Sequence, residues 1–415
     1  MALIRSAAII LLAATLGVPP CLARNDYGTF YVEGRYLYDP CGTRVIICGA
    51  NAMIVFWDRG GEKNYPELAQ TGANCCRIFW KTGHTPEPVI PAADLDETLT
   101  NCWANKMIPM PSLWDATGKW ENLDTCMGYW LRDDVLSVLK KHQKHLLLNI
   151  ANEAGNTVMD GYVEKYVSLV KKLRDAGLHC PIVIDADRWG REWQTVVSKG
   201  PSILEQDPDK NLIFSWHNWD PYHYRNGTKA GIKEAVDQSI EKNICFIFGE
   251  FGPSEGCGNP ERKRIEWEYM IEYADKNDIG RLAWVWRWKD CHAIVPMENY
   301  AYGSWNNSWG EGVAVSNPYS IQNTAKRTPY IENGVCDGSV GVRAPEGQGG
   351  AENTVPPLND AAASGRGSMP RVFDIRGRCI SVLHTAKGHS GGGIVLLRTE
   401  SRSTTTTVKA RALIR

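Results

Sequence analysis

Residues 244–250 read ICFIFGE, an uninterrupted apolar run that ends in a carboxylate. Residues 146–153, LLLNIANE, repeat this arrangement with a shorter run and a second glutamate. Short runs without polar alternation are typical of strands that are buried on both faces of a parallel sheet. The sequence therefore predicts an α/β fold in which carboxylates follow the carboxyl ends of buried strands.

Further short apolar or β-branched runs occur along the chain, and amphipathic helical stretches separate them. One such stretch, residues 162–176, carries an apolar stripe at helical spacing that includes Tyr166 and Val170. Eight such strands that alternate with helices favour a closed (β/α)8 TIM barrel over an open doubly wound sheet. The predicted strands are residues 45–50, 73–80, 107–113, 146–149, 181–186, 212–217, 244–250 and 281–288.

The two ends of the chain differ in composition from its centre. Residues 1–23 combine Arg5, an apolar run and a small-residue cleavage site, which indicates a signal peptide and a secreted protein. Residues 24–336 are predicted to form the catalytic domain, in which residues 29–45 make a short β-hairpin that plugs the barrel floor.

Beyond this domain large apolar residues become rare. Residues 337–370 are rich in Gly, Ala, Ser and Pro, which indicates a flexible linker. Residues 371–415 are predicted to be a disordered tail, or else a truncated carbohydrate-binding repeat, since one repeat cannot bury a core alone.

Composition narrows the class of partner. The chain has 46 basic and 47 acidic side chains, which argues against binding to nucleic acid or to an anionic membrane. Its 16 Trp and 16 Tyr favour a neutral polysaccharide, because aromatic faces bind the apolar faces of sugars. No cysteine or histidine cluster has zinc spacing, so we expect neither a metal nor a cofactor. We also expect the protein to be a monomer.

The cysteines of an exported chain predict disulfides. Cys257 and Cys291 follow the seventh and eighth predicted strands, which are neighbours in a barrel, so we predict that they pair. A second predicted pair is Cys102 and Cys126, around the loop that follows the third strand.

Glu153 and Glu250 are the candidate catalytic residues. A single glutamate at a strand end more often caps the next helix, but two of them three βα units apart favour chemistry, since barrels carry their active sites at the carboxyl ends of strands. In retaining glycoside hydrolysis one carboxyl protonates the leaving oxygen and the other attacks the anomeric carbon. We assign Glu153 as general acid/base and Glu250 as nucleophile, with Arg77 as the cation that helps to keep Glu250 ionised.

From about residue 29 to residue 330 the chain resembles glycoside hydrolase family 5, and especially its secreted endo-β-1,4-mannanases. The residues that carry the resemblance follow the predicted strands in the family's order. They are Arg77, Asn152-Glu153, Ser215-Trp-His217, Gly249-Glu-Phe-Gly252 and Leu282-Ala-Trp-Val-Trp286, together with residues 115–118, 148–150 and 185–190.

The resemblance implies further substrate-binding residues. Asn152 would bind the sugar 2-hydroxyl, and His217 would lie beside the acid/base. Trp286, with Trp284 and Trp288 on the same strand face, would be the platform under the reacting sugar. Trp189, within residues 185–190, would also contact substrate.

Two residues depart from the family pattern. Trp114 stands where relatives carry a histidine after the third strand. Trp219 stands where they carry a tyrosine that donates to the nucleophile, so either Tyr222 or Tyr224 replaces that donor or Glu250 is less well stabilised.

Three functions are compatible with this sequence. The first is an endo-acting, retaining β-1,4-mannanase without a cofactor. The second is a cellulase or another β-1,4-glucanase, because specificity depends on loops while the cleavage chemistry is shared. The third, which the two departures keep open, is a non-catalytic carbohydrate-binding protein.

Overall fold

The computed structural model describes residues 26–83 and 89–336, together with four short strands beyond residue 370. The chain forms two compact units, Met1–Gly341 and Val342–Arg415. The predicted signal peptide (residues 1–23) and linker (337–370) lie outside the described residues, as does most of the predicted tail (371–415), so these assignments stay predictions.

A small antiparallel sheet opens the first unit and lies under the barrel. Its strands confirm the predicted hairpin and extend it by a third strand, because Val45 pairs with Leu37. Phe30 and Leu37 pack in one cluster with Ile108 and Leu147, near the amino ends of barrel strands, which confirms the predicted plug. The strands are β1 (Tyr31–Glu33), β2 (Tyr36–Tyr38) and β3 (Arg44–Val45).

Eight parallel strands close into a barrel in chain order, which confirms the predicted (β/α)8 fold. The last strand ends at Ala283, earlier than predicted, because the chain turns to pair with a later segment: Val285 N–H donates to His292 O, and Ile294 N–H donates to Val285 O. The barrel strands are β4 (Cys48–Ala52), β5 (Cys75–Trp80), β6 (Ile108–Leu113), β7 (Leu148–Asn149), β8 (Ile182–Asp185), β9 (Leu212–Asn218), β10 (Phe246–Phe251) and β11 (Gly280–Ala283).

Helices connect the barrel strands. In the predicted helix at residues 162–176, Tyr166, Val170 and Leu173 are buried as the apolar stripe requires. None of the helices in the described part of the chain is long and apolar enough to cross a membrane. The helices are α1 (Ile54–Trp57), α2 (Asn64–Ala69), α3 (Ala92–Ala104), α4 (Leu123–Trp130), α5 (Asp133–His142), α6 (Tyr162–Asp175), α7 (Asp187–Gly190), α8 (Trp193–Gln206), α9 (Lys229–Glu241), α10 (Pro260–Lys263), α11 (Trp267–Lys276), α12 (Ser308–Glu311), α13 (Ile321–Thr324) and α14 (Pro329–Asn333).

The remaining strands form three two-stranded sheets. In the first unit β12 (Arg287–Trp288) pairs with β13 (Val295–Pro296) on the barrel rim. In the second unit β14 (Val372–Phe373) pairs with β15 (Cys379–Ile380), and β16 (Leu397–Thr399) pairs with β17 (Val408–Ala410).

Of the two predicted disulfides, one is present and the other is not. Cys257 and Cys291 are bonded, which confirms the first pair. The predicted Cys102–Cys126 pair is wrong, because both residues are buried free thiols that pack as small apolar side chains. Among the described residues seven cysteines are free and all are buried: Cys48, Cys75, Cys76, Cys102, Cys126, Cys180 and Cys245.

A second disulfide, which the sequence did not predict, joins Cys41 to Cys336 across 295 residues. It ties the segment between β2 and β3 to the end of the described barrel domain. Cys336, the last residue of the predicted catalytic domain, is therefore tied covalently to the small sheet at the start of that domain.

We expect truncation after Gly338 to leave the melting temperature and turnover unchanged, because the barrel and its rim residues all lie before that point. Truncation after Val335 serves as the matched variant. It removes only three more residues but opens the Cys41–Cys336 disulfide, and such bonds typically contribute about 2–4 kcal/mol. Thermal denaturation followed by circular dichroism should show a lower melting temperature for the second truncation alone. Loss of most activity in the first would refute the boundary.

Candidate active site

The centre of the barrel holds a fully buried guanidinium, that of Arg77 on β5. Its Nη1 donates to Glu250 Oε1 at 2.7 Å, and its Nη2 donates to Asn152 Oδ1 at 2.7 Å and to Asp185 Oδ2 at 3.1 Å. The predicted contact between Arg77 and Glu250 is thus confirmed. The remaining hydrogen-bond acceptors of the guanidinium are Asn51, Ser112 and Asn149.

A bulge near the end of β10 sets the position of Glu250. The pairing of β10 with β9 shifts register between Phe248 and Glu250, so the intervening residue, Gly249, is the one that breaks the regular ladder. A Cβ atom at Gly249 would lie 2.0 Å from Ser215 Oγ and 2.9 Å from His217 Nε2. Only glycine therefore allows the side chains of β9 to approach β10 beside the carboxylate.

Glu153 follows β7 on a loop that backbone contacts hold in place. Its N–H donates to Asp185 Oδ2 at 3.1 Å, and its carbonyl accepts from Gly118 N–H at 2.9 Å. Its φ of 45° is unusual for a residue other than glycine and is consistent with a functional constraint. The side chain reaches the barrel mouth, with 13% of its surface exposed against 4% for Glu250.

His217 links the two glutamates. Its Nδ1 lies 3.0 Å from Glu153 Oε1 and 3.6 Å from Glu250 Oε1, which confirms the predicted position beside the acid/base. One carboxylate oxygen of each glutamate and one ring nitrogen of His217 all lie within 4.8 Å of one another. Such close oxygens suit the carboxyl pair of a retaining glycosidase, about 5–5.5 Å apart, better than that of an inverting one, about 6.5–9.5 Å apart.

The same three groups, Glu153, His217 and Glu250, offer ligand atoms close enough together for a metal ion. Their surroundings do not favour a cation. The guanidinium of Arg77 already donates to Glu250, and the nearby carboxylates keep His217 protonated, so two positive charges would repel it.

Burial and charge set the protonation of this cluster. Burial and the negative charge of Glu153 raise the pKa of Glu250 to about 7, although His217 and Arg77 oppose the rise. Burial lowers the pKa of His217, but the carboxylates of Glu250 and Asp185 outweigh it and raise that pKa to about 10. Burial raises the pKa of Asp185, but His217 and Arg77 bring it down to about 2. The positive charge of Arg77 thus cancels only part of the rise in the pKa of Glu250 that burial causes.

Asn152, which directly precedes Glu153, lies against the guanidinium of Arg77. Its Oδ1 accepts from Arg77, and its Nδ2 donates to Thr117 Oγ1 at 3.0 Å. The amide is therefore fixed in orientation next to the candidate acid/base.

The sequence analysis named Asp185 only as part of a motif, whereas in the structure Asp185 contacts Arg77, His217 and the Glu153 backbone.

The predicted common face of Trp284, Trp286 and Trp288 is wrong. Trp286 is fully buried, whereas Trp284 and Trp288 are partly exposed, so the three tryptophans do not share a face. The cause is the early end of β11 at Ala283, which removes the strand alternation on which the prediction depended. Trp284 stacks on Trp114, with ring centroids 5.9 Å apart, and the peptide bond after Trp284 is cis.

Trp114 lies on the rim as predicted, and it contributes to an aromatic surface. Its ring meets Phe79 edge to face. Its indole Nε1 is buried and has no hydrogen-bond partner among the described residues.

Neither tyrosine that was expected to donate to the nucleophile does so. Tyr222 and Tyr224 are 44% and 55% exposed, and Tyr222 lines a cavity of about 510 Å³ with Glu261, Arg264 and Glu266. The donor to Glu250 Oε2 is instead the indole Nε1 of Trp219, at 3.2 Å. The residue that departs from the family pattern therefore makes the contact itself.

Trp189 is exposed within α7, a short turn after β8 whose φ and ψ angles are not helical at Arg188 and Trp189, where it was predicted to meet substrate. It is 44% exposed, and both it and Arg188 adopt positive φ angles, a strained arrangement for such residues. Its N–H donates to Gly155 O at 2.9 Å, and its indole Nε1 lies 2.7 Å from where a Cβ of Gly118 would be. Trp189 thus stands over the loops that hold Glu153.

Residues 133–290 match the family model described as Cellulase (glycosyl hydrolase family 5). A mannan endo-1,4-beta-mannosidase of Salipaludibacillus agaradhaerens is 28% identical over 72% of this chain and 94% of its own length. Beta-mannanase/endoglucanase A of Caldicellulosiruptor saccharolyticus is 30% identical over 52% of this chain and 16% of its own length. A mannotriose complex of Thermomonospora fusca beta-mannanase has a TM-score of 0.65 at 22% identity, over 73% of this chain and 99% of that one. These comparisons confirm the resemblance to glycoside hydrolase family 5, the barrel and the prediction of a glycoside hydrolase.

We expect kcat/KM to increase as the pH rises through about 7, because the raised pKa keeps Glu250 protonated below that value and a protonated carboxyl cannot attack. A glutamate with an ordinary pKa would place this acid limb of the pH–rate profile near pH 4.3. A pH–rate profile on a soluble substrate measures it. An acid limb that stayed near pH 4 would show that Arg77, His217 and Trp219 together outweigh burial.

Proposed function

We propose that this chain is a secreted, endo-acting β-1,4-mannanase that cleaves mannan, galactomannan or glucomannan with retention of configuration. The observation that carries the proposal is that a carboxylate oxygen of Glu153 and one of Glu250 lie within 4.8 Å of each other at the barrel mouth, beside a buried guanidinium. Two carboxyls at this separation suit a double displacement.

The surroundings of the two glutamates support their roles. Glu250 is the deeper carboxylate and receives hydrogen bonds on both oxygens, from Arg77 and from Trp219, which fixes it for attack on the anomeric carbon. Glu153 is more exposed, so its proton can be exchanged with solvent between the two steps. His217, 3.0 Å from Glu153, keeps that carboxyl oriented toward the scissile bond.

The reaction proceeds in two steps. In the first, a carboxylate oxygen of Glu250 bonds to the anomeric carbon while Glu153 gives its proton to the departing glycosidic oxygen. In the second, Glu153 takes a proton from water, the water oxygen bonds to the anomeric carbon, and the bond to Glu250 breaks. Two inversions at one carbon give retention.

The aromatic rim supports a polysaccharide substrate. Trp284 replaces Trp286 as the proposed platform, because its ring is partly exposed near Trp219 and Trp114 whereas Trp286 is fully buried. Trp189 and Tyr222 supply exposed rings on the loops after β8 and β9, where further sugar units could stack.

Mannan is preferred as substrate because a relative named mannan endo-1,4-beta-mannosidase aligns over nearly its full length. The second candidate function is a β-1,4-glucanase. It is favoured by the Caldicellulosiruptor relative, whose name includes endoglucanase, and by the fact that specificity depends on the rim loops. The non-catalytic alternative has less support, since both carboxylates and their partners are present.

Secretion and a monomeric state complete the proposal. The signal-like composition of residues 1–23 and two disulfides in the described barrel domain support an oxidising destination. The near balance of 46 basic and 47 acidic side chains gives no support for nucleic acid or membrane partners.

We expect Glu153→Gln and Glu250→Gln each to reduce hydrolysis of soluble mannan by at least a hundredfold without loss of folding, because each removes a reacting group from the barrel mouth. Glu241→Gln, at the end of the outer helix α9, is the matched control and should keep full activity. Near-normal turnover in either active-site variant would refute the assignment.

Two further measurements separate roles and substrates. With an activated aryl glycoside, azide should rescue Glu153→Ala and give a β-glycosyl azide, since the covalent intermediate still forms. Initial rates of the wild-type protein on mannan, glucomannan and carboxymethylcellulose distinguish a mannanase from a glucanase, and no hydrolysis of any of them would favour a binding protein.

A further inference from the structure

Trp219 lies between the candidate nucleophile and the sugar platform. Its indole Nε1 donates to Glu250 Oε2 at 3.2 Å, and its ring meets Trp284 edge to face, with centroids 6.4 Å apart. We propose that Trp219 is a positioning residue of this site: a hydrogen-bond donor that fixes the second carboxylate oxygen of Glu250. The inference rests on the proposed function and deepens it.

The two oxygens of Glu250 have different partners. Arg77 Nη1 donates to Oε1 at 2.7 Å, and the Trp219 indole donates to Oε2. With a donor on each oxygen, the plane of the carboxylate is fixed before substrate arrives. Rotation of the group would break one of the two contacts, so the attacking oxygen keeps its direction.

An indole N–H differs chemically from a hydroxyl at this position. It can donate a hydrogen bond but cannot accept one, so it has no favourable contact with the proton of a neutral Glu250. Its hydrogen bond is stronger to the ionised carboxylate than to the neutral carboxyl, so it favours the ionised form and opposes the burial that raises the pKa of Glu250. The contact thus bears on the charge of the nucleophile as well as on its orientation.

The protein holds the Trp219 ring from several sides. His292 packs against it edge to face at 5.4 Å, and His292 Nε2 is itself 3.0 Å from Ser254 O. A Cβ atom on Gly252 would lie 2.8 Å from the ring, so glycine leaves the room that the indole occupies. The Cys257–Cys291 disulfide ties together the loops that carry these contacts. The indole is therefore set in place by packing and not by substrate.

The test removes the donor and keeps an aromatic ring, with Trp219→Phe. Loss of one hydrogen bond to a charged group should lower kcat/KM by about ten- to a hundredfold. The acid limb of the pH–rate profile should also move to higher pH, because the ionised form of Glu250 loses its donor. A purely structural role would lower the melting temperature without moving the limb.

Trp309→Phe is the matched control. Its indole Nε1 donates to His292 O at 2.9 Å, so this variant also loses one buried indole N–H beside the same histidine but none to a carboxylate. We expect a lower melting temperature and an unchanged acid limb. Gly252→Ala is a second variant that keeps the N–H but displaces the ring, and its limb should move in the same direction as in Trp219→Phe.

A titration without substrate keeps the inference separate from the proposed function. The Glu250 carboxyl of 13C-labelled protein, assigned by comparison with Glu250→Gln, should titrate at higher pH in Trp219→Phe than in the wild type or in Trp309→Phe. Equal titration in all three would overturn the role of Trp219 even if mannan is hydrolysed. A shift confined to Trp219→Phe would support it even if the substrate is another polysaccharide.

Discussion

The buried guanidinium of Arg77 is the interaction on which the site depends. A charge that is removed from water is tolerated only when it is paired and fully hydrogen-bonded, and here the partners come from several barrel strands. Asp185 and Glu250 supply the negative charge, and the amides and the hydroxyl satisfy the remaining N–H groups. Because the fork of the guanidinium is rigid, it also sets the distances between the groups that bind it.

Much of the fold and the centre of the site could be predicted because both follow from local pattern. Buried strands are recognisable as apolar runs, and the closed barrel fixes where their carboxyl ends meet, so Glu153 and Glu250 could be brought together from the sequence pattern. The place of His217 beside them was implied by the family resemblance. Arg77 could be placed beside Glu250 because it lies within a predicted barrel strand and a carboxylate that must stay ionised favours a nearby cation.

The rim could not be predicted in the same way, because it depends on where each strand ends and on contacts between distant loops. Trp286 was expected on the exposed face through strand alternation, but β11 had already ended at Ala283. The donor to Glu250 was sought among tyrosines because of the family pattern, whereas a tryptophan in the expected position reaches the carboxylate once Gly252 leaves space for it. Disulfide pairing was equally hard to predict, because the sequence does not distinguish a cysteine that fills a core position from one that forms a disulfide.

The two glutamates differ in depth, and this difference fits the two roles that we propose for them. Inside the barrel, the positive charges of Arg77 and His217 face the negative charges of Asp185 and Glu250, so the deep part of the site can be neutral when Glu250 is ionised. Glu153 stands outside this balance, at the end of the cluster that reaches solvent. A nucleophile benefits from being held and screened from water, whereas an acid/base must exchange its proton in each catalytic cycle. In the proposed mechanism the barrel therefore separates the two functions by placing one carboxyl deeper than the other on either side of His217.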